Sequence, residues 1–410
     1  MSTLKATNIK NVSSGTNNIV LGENGGVVIS GLATVSNANV TGGSITGVST
    51  VSSTAFSVNG NAYPSAGPLS NRNLIINGAM TVHQRGSNLT SGGYIADRWS
   101  FNAGSLDQWA GDVTWETDSP DGFSRSIKMN TTTAETSFEA GEELSFEHRI
   151  EAQNLQHLDW GTANAKSLTL SFWVKCNKTG TQSIHVRAHD ASDGYSTSYS
   201  INSADTWEYK TIVIPGNTAG SITNDNGIGI WIRWIAARGD TAVTEDAWDT
   251  SNIGPYAVSG AMTFGTTIGD YLQLAGVQLE VGSVATPFEH RSYGDELAKC
   301  QRYYWNLLLE KGQTDLYLGN ATQYNSSTIF MTLHPPVTMR TEPSADISNG
   351  TSHFATLAND TAANFDTWAI DGRSGAAAVT VSATVSGTTG HSLFVRSQNT
   401  SAKFAFSAEI

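Results

Sequence analysis

Three groups of side chains in the 410-residue sequence have types and spacings that could do chemistry. The first is acidic: Glu142, Glu143 and Glu147 form one cluster, and Asp240, Glu245 and Asp246 another. Two carboxylates about 5–10 Å apart can cleave a glycosidic bond, one as acid and one as base or nucleophile. Clusters of this kind are more often solvated loops, and nothing else in the sequence marks a catalytic pair. The second group is His185, His189 and Asp190. Residues i and i+4 of a strand share a face but stand about 13 Å apart, too far to hold one ion. The run Asp190-Ala191-Ser192-Asp193-Gly194 offers oxygens to a hard cation, but an Asx turn closed by glycine accounts for it. No Gly-x-Ser-x-Gly accompanies the nine histidines. The glycine-rich stretches lack the lysine and the helix of a phosphate loop. The expectation is no catalytic residue, no metal and no cofactor.

The third group is aromatic. Sugars offer flat C–H faces that stack on rings, while their hydroxyls seek Arg, His, Asn and Asp. Strand phase shows which rings are available, because successive side chains point to opposite faces. In Leu168 to Cys176 the apolar face is Leu168, Leu170, Phe172, Val174 and Cys176, which leaves Trp173 and Lys175 opposite. In Ile228 to Trp234, Trp231 and Arg233 stand opposite Ile228, Ile230, Ile232 and Trp234. In Ile184 to Ala188, His185 and Arg187 stand opposite Ile184 and Val186. One sheet face carrying Trp173, Trp231, Arg187, Arg233, His185 and Lys175 is the expected glycan site, with core packing or a protomer contact as the competing explanation. Loops around Tyr324, Trp368 and Arg373 are the second choice. Trp99, Trp207 and Trp234 are assigned to cores.

The elements that would position these residues are strands. Alternating apolar runs separated by turn signals such as Pro215-Gly216-Asn217, with no helix between them, predict a jelly-roll β-sandwich over 71–293, opened by Leu74-Ile75-Ile76. Gly294 to Trp305 is the best helix, with acids in its first turn and a Leu297, Cys300, Tyr304, Leu308 stripe. It forms a connector over 294–311. Residues 312–410 predict a small C-terminal β-sandwich, a distal tip closed by a hairpin of Ser392–Arg396 with Lys403–Ala408.

The first seventy residues differ. No charge lies between Glu23 and Arg72, and single apolar residues such as Val35, Val40, Ile45 and Val48 alternate with Gly, Ser and Thr. Such a seam is too thin for a core of its own. Short strands burying it against copies of themselves would make a trimeric fibre shaft, followed by a linker at Tyr63 to Pro68. Only 14% of residues are charged, and the net charge is −13. This excludes nucleic acid and anionic membranes as principal partners. Cys176 and Cys300 are expected to be buried thiols, which fits assembly in a reducing cytosol. There is no signal-peptide pattern, and no stretch approaches 18 apolar residues.

Several phrases are familiar. Asn73 to Met80, Gln84-Arg85-Gly86 and Tyr94 to Trp99, with Leu274 to Glu289 and Glu296 to Tyr304, resemble bacteriophage tail-fibre proteins of marine and enteric phages, including cyanophages. Leu4 to Leu21 resembles the start of virion fibre proteins. The resemblance spans roughly residues 1–310; beyond that it is one of style. It implies a carbohydrate-binding-module-like jelly roll in a homotrimer, located in the virion after assembly in the host cytoplasm. It also implies attachment to other virion proteins through residues 1–70, and contact with a host-surface glycan. The expected function is a non-enzymatic fibre. The alternatives are a tail-spike enzyme that cleaves surface polysaccharide and a structural connector that binds another virion protein. The chain is accordingly expected to be a trimer in light scattering. A monomer with residues 1–70 well folded would contradict this.

Overall fold

The structure is a computed structural model. It describes residues 57–58, 61–62, 70–86, 88–241, 244–254, 256–308, 314–350, 352–358, 361–365, 367–372 and 374–410. The shaft and linker expected in residues 1–70 lie almost wholly outside these residues.

The chain is all-β, numbered here in chain order. Strands β1 (Ser57–Val58) and β2 (Asn61–Ala62) pair with each other. From Asn88 two antiparallel sheets form a jelly-roll-type sandwich. The six-stranded sheet has the order β12 (Glu208–Ile214), β9 (Leu168–Cys176), β15 (Tyr271–Val281), β7 (Ser126–Thr133), β6 (Ala110–Glu116), β3 (Asn88–Leu89). The seven-stranded sheet has the order β14 (Trp248–Asp249), β11 (Asp193–Ile201), β10 (Gly180–Ala188), β13 (Ile228–Arg238), β8 (Glu143–Glu151), β5 (Trp99–Gly104), β4 (Gly93–Ala96). The strong alternating runs all became strands, because each buries one side against the facing sheet. Between the sheets, Trp234 lies 5.3 Å from Trp99 and 5.8 Å from Phe172, ring centre to ring centre. Each such fully buried large side chain contributes about 1.5–3 kcal/mol.

Helix α1 (Tyr293–Gln301) follows, N-capped by Ser292, whose hydroxyl accepts from the Asp295 N–H. It is shorter than expected. Tyr304 and Trp305 belong to a strand, β16 (Tyr304–Asn306), which joins β25 (Phe404–Ser407) and β19 (Ser344–Ile347) in a three-stranded sheet. The aromatic run favours a half-buried strand over another helical turn. The last sheet has the order β21 (Thr361–Phe365), β20 (Phe354–Ala358), β24 (Ser392–Ser397), β17 (Tyr317–Asn325), β18 (Thr328–Leu333), β23 (Val379–Thr384), β22 (Trp368–Ile370). The expected terminal hairpin is absent: β24 and β25 lie in different sheets. Leu393 and Val395 of the one, Phe404 and Phe406 of the other, belong to one core, approached from its two sheets. A sheet change between the strands serves that burial better than pairing. Both cysteines are free and buried, as expected.

Leu74 to Ile76 forms no strand. It belongs to a turn clasped against a bulge in β15 at Gly276 and Val277. Gly276 has φ +57°, and the Phe123 ring sits where its Cβ would be, so only glycine fits. The Asn73 side-chain oxygen accepts from the N–H groups of Ile75 and Leu279, and its amide donates to the Val277 carbonyl. Asn77, at φ +59°, is fully buried. Its amide donates to the carbonyls of Val82 (2.8 Å) and Asp97 (3.0 Å), and its oxygen accepts from the Val82 N–H (3.0 Å). Its backbone N–H donates to Glu296 of α1, and its carbonyl accepts from the Trp99 indole. Gln84 bridges Asp97 to the Tyr304 carbonyl. Arg98 pairs with Glu409. The sandwich, the helix and the C-terminal sheets are thus joined by buried polar contacts.

Asn77→Ala removes three side-chain bonds and places a Cβ-bearing residue without polar compensation at positive φ. Each group left unpaired costs roughly 1–3 kcal/mol, so the variant should lose about 3 kcal/mol or more in urea unfolding. A loss under about 1 kcal/mol would show the turn to be dispensable.

Candidate functional site

The sandwich has two outer faces that point away from each other. Trp173 and Lys175 stand on β9, in the six-stranded sheet. Trp231 and Arg233 stand on β13, and His185 and Arg187 on β10, in the seven-stranded sheet. The single face expected from the sequence therefore does not exist. Strand phase shows which side of a strand is outward, but not which sheet the strand joins.

The seven-stranded face is closed. Ser100, Glu147, Arg233, His185 and Ser196 stand in register across five strands. Arg233 Nε donates to Glu147 at 3.1 Å, and its Nη1 lies 3.3 Å from His185 Nδ1. His185 Nε2 lies 2.9 Å from the Asn252 carbonyl. With Arg233 as obligate donor, Nδ1 accepts and Nε2–H donates, which fixes the tautomer. Burial, then the nearby Arg233 charge, pushes the His185 pKa down to about 3. Burial raises that of Glu143. The Trp231 ring is flanked by the guanidinium carbons of Arg149 at 4.1 Å and Arg233 at 3.5 Å. His185 is 0% exposed and Arg233 4%, so neither is free to take a ligand. Glu143 and Glu147, from the first acidic cluster, are spent on Arg233.

The six-stranded face is open. Trp173 pairs with Tyr209 across the strands, their ring centres 5.4 Å apart, and Tyr209 is 45% exposed. Beside them lies a polar centre. The Asp118 carboxylate accepts from Lys175 Nζ (2.9 Å) and from Trp207 Nε1 (3.2 Å). Burial works to raise the pKa of Asp118, but these hydrogen bonds outweigh it and hold the carboxyl below its usual range. Gln273, opposite both Lys175 and Lys128, donates to the Asp118 carbonyl. Tyr271 donates to Asp205, while Lys128 lies 4.4 Å from its ring centre.

Trp207 is therefore half-exposed and polar-bonded rather than in a core. Trp99 and Trp234 are fully buried as assigned. Tyr209 and Tyr271 were missed although the alternation Tyr209, Thr211, Val213 against Ile212, Ile214 puts Tyr209 outside. Asp118 arrives from a loop and carries no such signal.

Of the second-choice residues, Tyr324 is 66% exposed beside Phe330. Trp368 is buried among Phe354, Phe365 and Phe404 and cannot bind a ligand as placed. Arg373 lies outside the described residues. In the candidate cation loop, Asp190 accepts from Thr223 and Asp193 from Asn217. Among the described residues no group of three or more His, Cys, Asp and Glu could hold a metal. No helix among them is long and apolar enough to cross a membrane.

No protein-family model matches the chain, and no curated protein does. Among solved structures it is similar to the enzymatically active domain of tailspike protein 4 of bacteriophage CBA120, at 15% identity and TM-score 0.29, over 51% of this chain and 21% of that one. It is also similar to the family 11 carbohydrate-binding module of Clostridium thermocellum, in complex with a mixed-linked tetrasaccharide (12% identity, TM-score 0.24, 46% of this chain and 91% of that one). A third is the xylan-binding CBM22-1 domain of Paenibacillus barcinonensis Xyn10C (12%, TM-score 0.23, 48% and 94%). Likenesses at this level describe strand architecture and say nothing of what this chain binds.

The closed face predicts a pH dependence. The His185 pKa is depressed in the fold relative to about 6.5 unfolded, so the stability it contributes is complete above pH 6.5. That stability is lost as the pH falls toward 3. His148, also buried and held well below its ordinary value, acts in the same direction. Urea midpoints should drop between pH 6.5 and 4, with His185 adding up to about 1.4 kcal/mol per pH unit. His185→Gln should flatten that limb, and an unchanged slope would remove His185 from the account.

Proposed function

We propose that the outer face of the six-stranded sheet binds a host-surface glycan without cleaving it, and that the chain is a trimeric fibre protein of a phage virion. The observation that carries the binding is the pair of half-buried Trp173 and exposed Tyr209 beside Asp118, Lys175 and Trp207. Rings offer stacking to a sugar face, worth about 0.5–1.5 kcal/mol per contact. The adjacent carboxylate and ammonium offer an acceptor and a donor to its hydroxyls. A site built this way is weak alone and gains by repetition, which suits a homotrimer presenting three copies. The tail-fibre phrases of the sequence support the virion setting, with attachment through residues 1–70. Binding without cleavage is favoured because Glu143 and Glu147 are buried and bound to Arg233, and Asp118 is held ionised by its partners.

The test is glycan-array binding by the full chain. Trp173→Ala and Tyr209→Ala should each weaken binding about tenfold while melting temperature and oligomeric state stay unchanged. Unchanged binding would move the site elsewhere. Release of oligosaccharides from a bound polysaccharide would make the chain a cleaving tail spike, and binding only to another virion protein would make it a connector.

A further inference from the structure

A second recessed site lies beside β8, away from the Trp173 face. There the final residues of β8 border a cleft of about 540 Å³, closed by the turn at Leu74 and Ile76, helix α1 and Tyr303. Its volume is in the range of pockets that enclose small ligands.

Most charges around it are compensated. Arg291 pairs with Glu289 (3.2 Å) and Glu296 (3.4 Å), Glu151 with Arg302 (2.6 Å), Lys166 with Asp159 (3.0 Å) and Arg149 with Glu147 (3.0 Å). Lys299, in the last turn of α1, is the exception: among the described residues it has no carboxylate within salt-bridge distance and donates no hydrogen bond. The side chains of Asn71 and Asn154, both exposed, likewise make no hydrogen bond there. The wall also contains His148. It is 1% exposed, and neither ring nitrogen has a partner. A buried imidazole with no hydrogen bond costs stability and calls for an explanation. Packed 4.9 Å from the Trp99 ring, it lies behind the wall surface and reports on the cleft rather than reaching into it.

Leu74, Ile76 and Ile150 add apolar surface. One spare cation, two free amides and an apolar wall fit a hydroxylated ring bearing a single carboxylate. We propose that this cleft is a separate binding site for an acidic sugar residue of the uronic-acid type. Its carboxylate pairs with Lys299, its hydroxyls bond Asn71 and Asn154, and its C–H face lies on the apolar wall. The site does not depend on the Trp173 face.

The probes are galacturonate, galactose and inorganic phosphate, titrated into the full chain by calorimetry and by NMR of ¹⁵N-histidine-labelled protein. Galacturonate should bind and shift the His148 ring resonances. Lys299→Met, at a half-exposed position where the fold tolerates change, should weaken it at least tenfold, to the level of galactose. Asn71→Ala should weaken both sugars, and Trp173→Ala should leave all three titrations unchanged. Absence of galacturonate binding, or binding indifferent to Lys299→Met, would overturn the proposal. So would phosphate binding as tightly as galacturonate with the same His148 shift, since the cleft would then be a simple anion site. Loss of galacturonate binding in Trp173→Ala would assign the sugar to the other face.

Discussion

Asn77 is the constraint on which much else rests. A turn buried between a sheet and a helix must pair every backbone group without water. Asn77 does this for its own turn while tying it to Val82, Asp97, Trp99 and Glu296. The same turn seats on the Gly276–Val277 bulge, where the Val277 N–H donates to the Gly78 carbonyl. Downstream, Asp97 holds Gln84, Gln84 holds β16, and Arg98 holds Glu409. Buried charges such as the last pair contribute little net stability, but removing one partner is costly.

The two outer faces of the sandwich show how similar strand chemistry diverges. On the seven-stranded face, long loops bring the Asn252 carbonyl to His185 and the Tyr256 carbonyl to Ser196. The polar row beneath becomes an internal network in which every charge must be matched. On the six-stranded face no such cover lies over Tyr209 among the described residues, and its ring stays 45% exposed. Accessibility, not composition, separates a structural arginine–tryptophan stack from the proposed binding platform.

The all-β class was legible because alternation over runs such as Leu168–Cys176 is a direct imprint of half-buried strands. The outward phase of Trp173 was legible for the same reason. What alternation lacks is the identity of the neighbouring strand: β9 pairs with β12 and β15, β13 with β8 and β10, and these long-range choices divided the expected site in two. The sequence cannot indicate that a loop will deliver Asp118 to Lys175, or that Trp368 will sink among three phenylalanines. The recognisable phrases, from Asn73 to Met80 and from Leu274 to Glu289, turn out to be the two halves of the clasp. They mark how the protein is held together more than what it touches.

The crossing of β24 into a different sheet from β25 has a kinetic side. Strand β25 is the centre of its layer, flanked by β16, which precedes it by roughly 100 residues, and by β19. Closing so long a loop carries an entropic cost before any contact repays it. During synthesis on the ribosome, β16 therefore waits for its strand partner until Phe404 and Phe406 emerge. In that interval premature pairing of the open β16 edge with a neighbouring chain is the hazard that late closure creates.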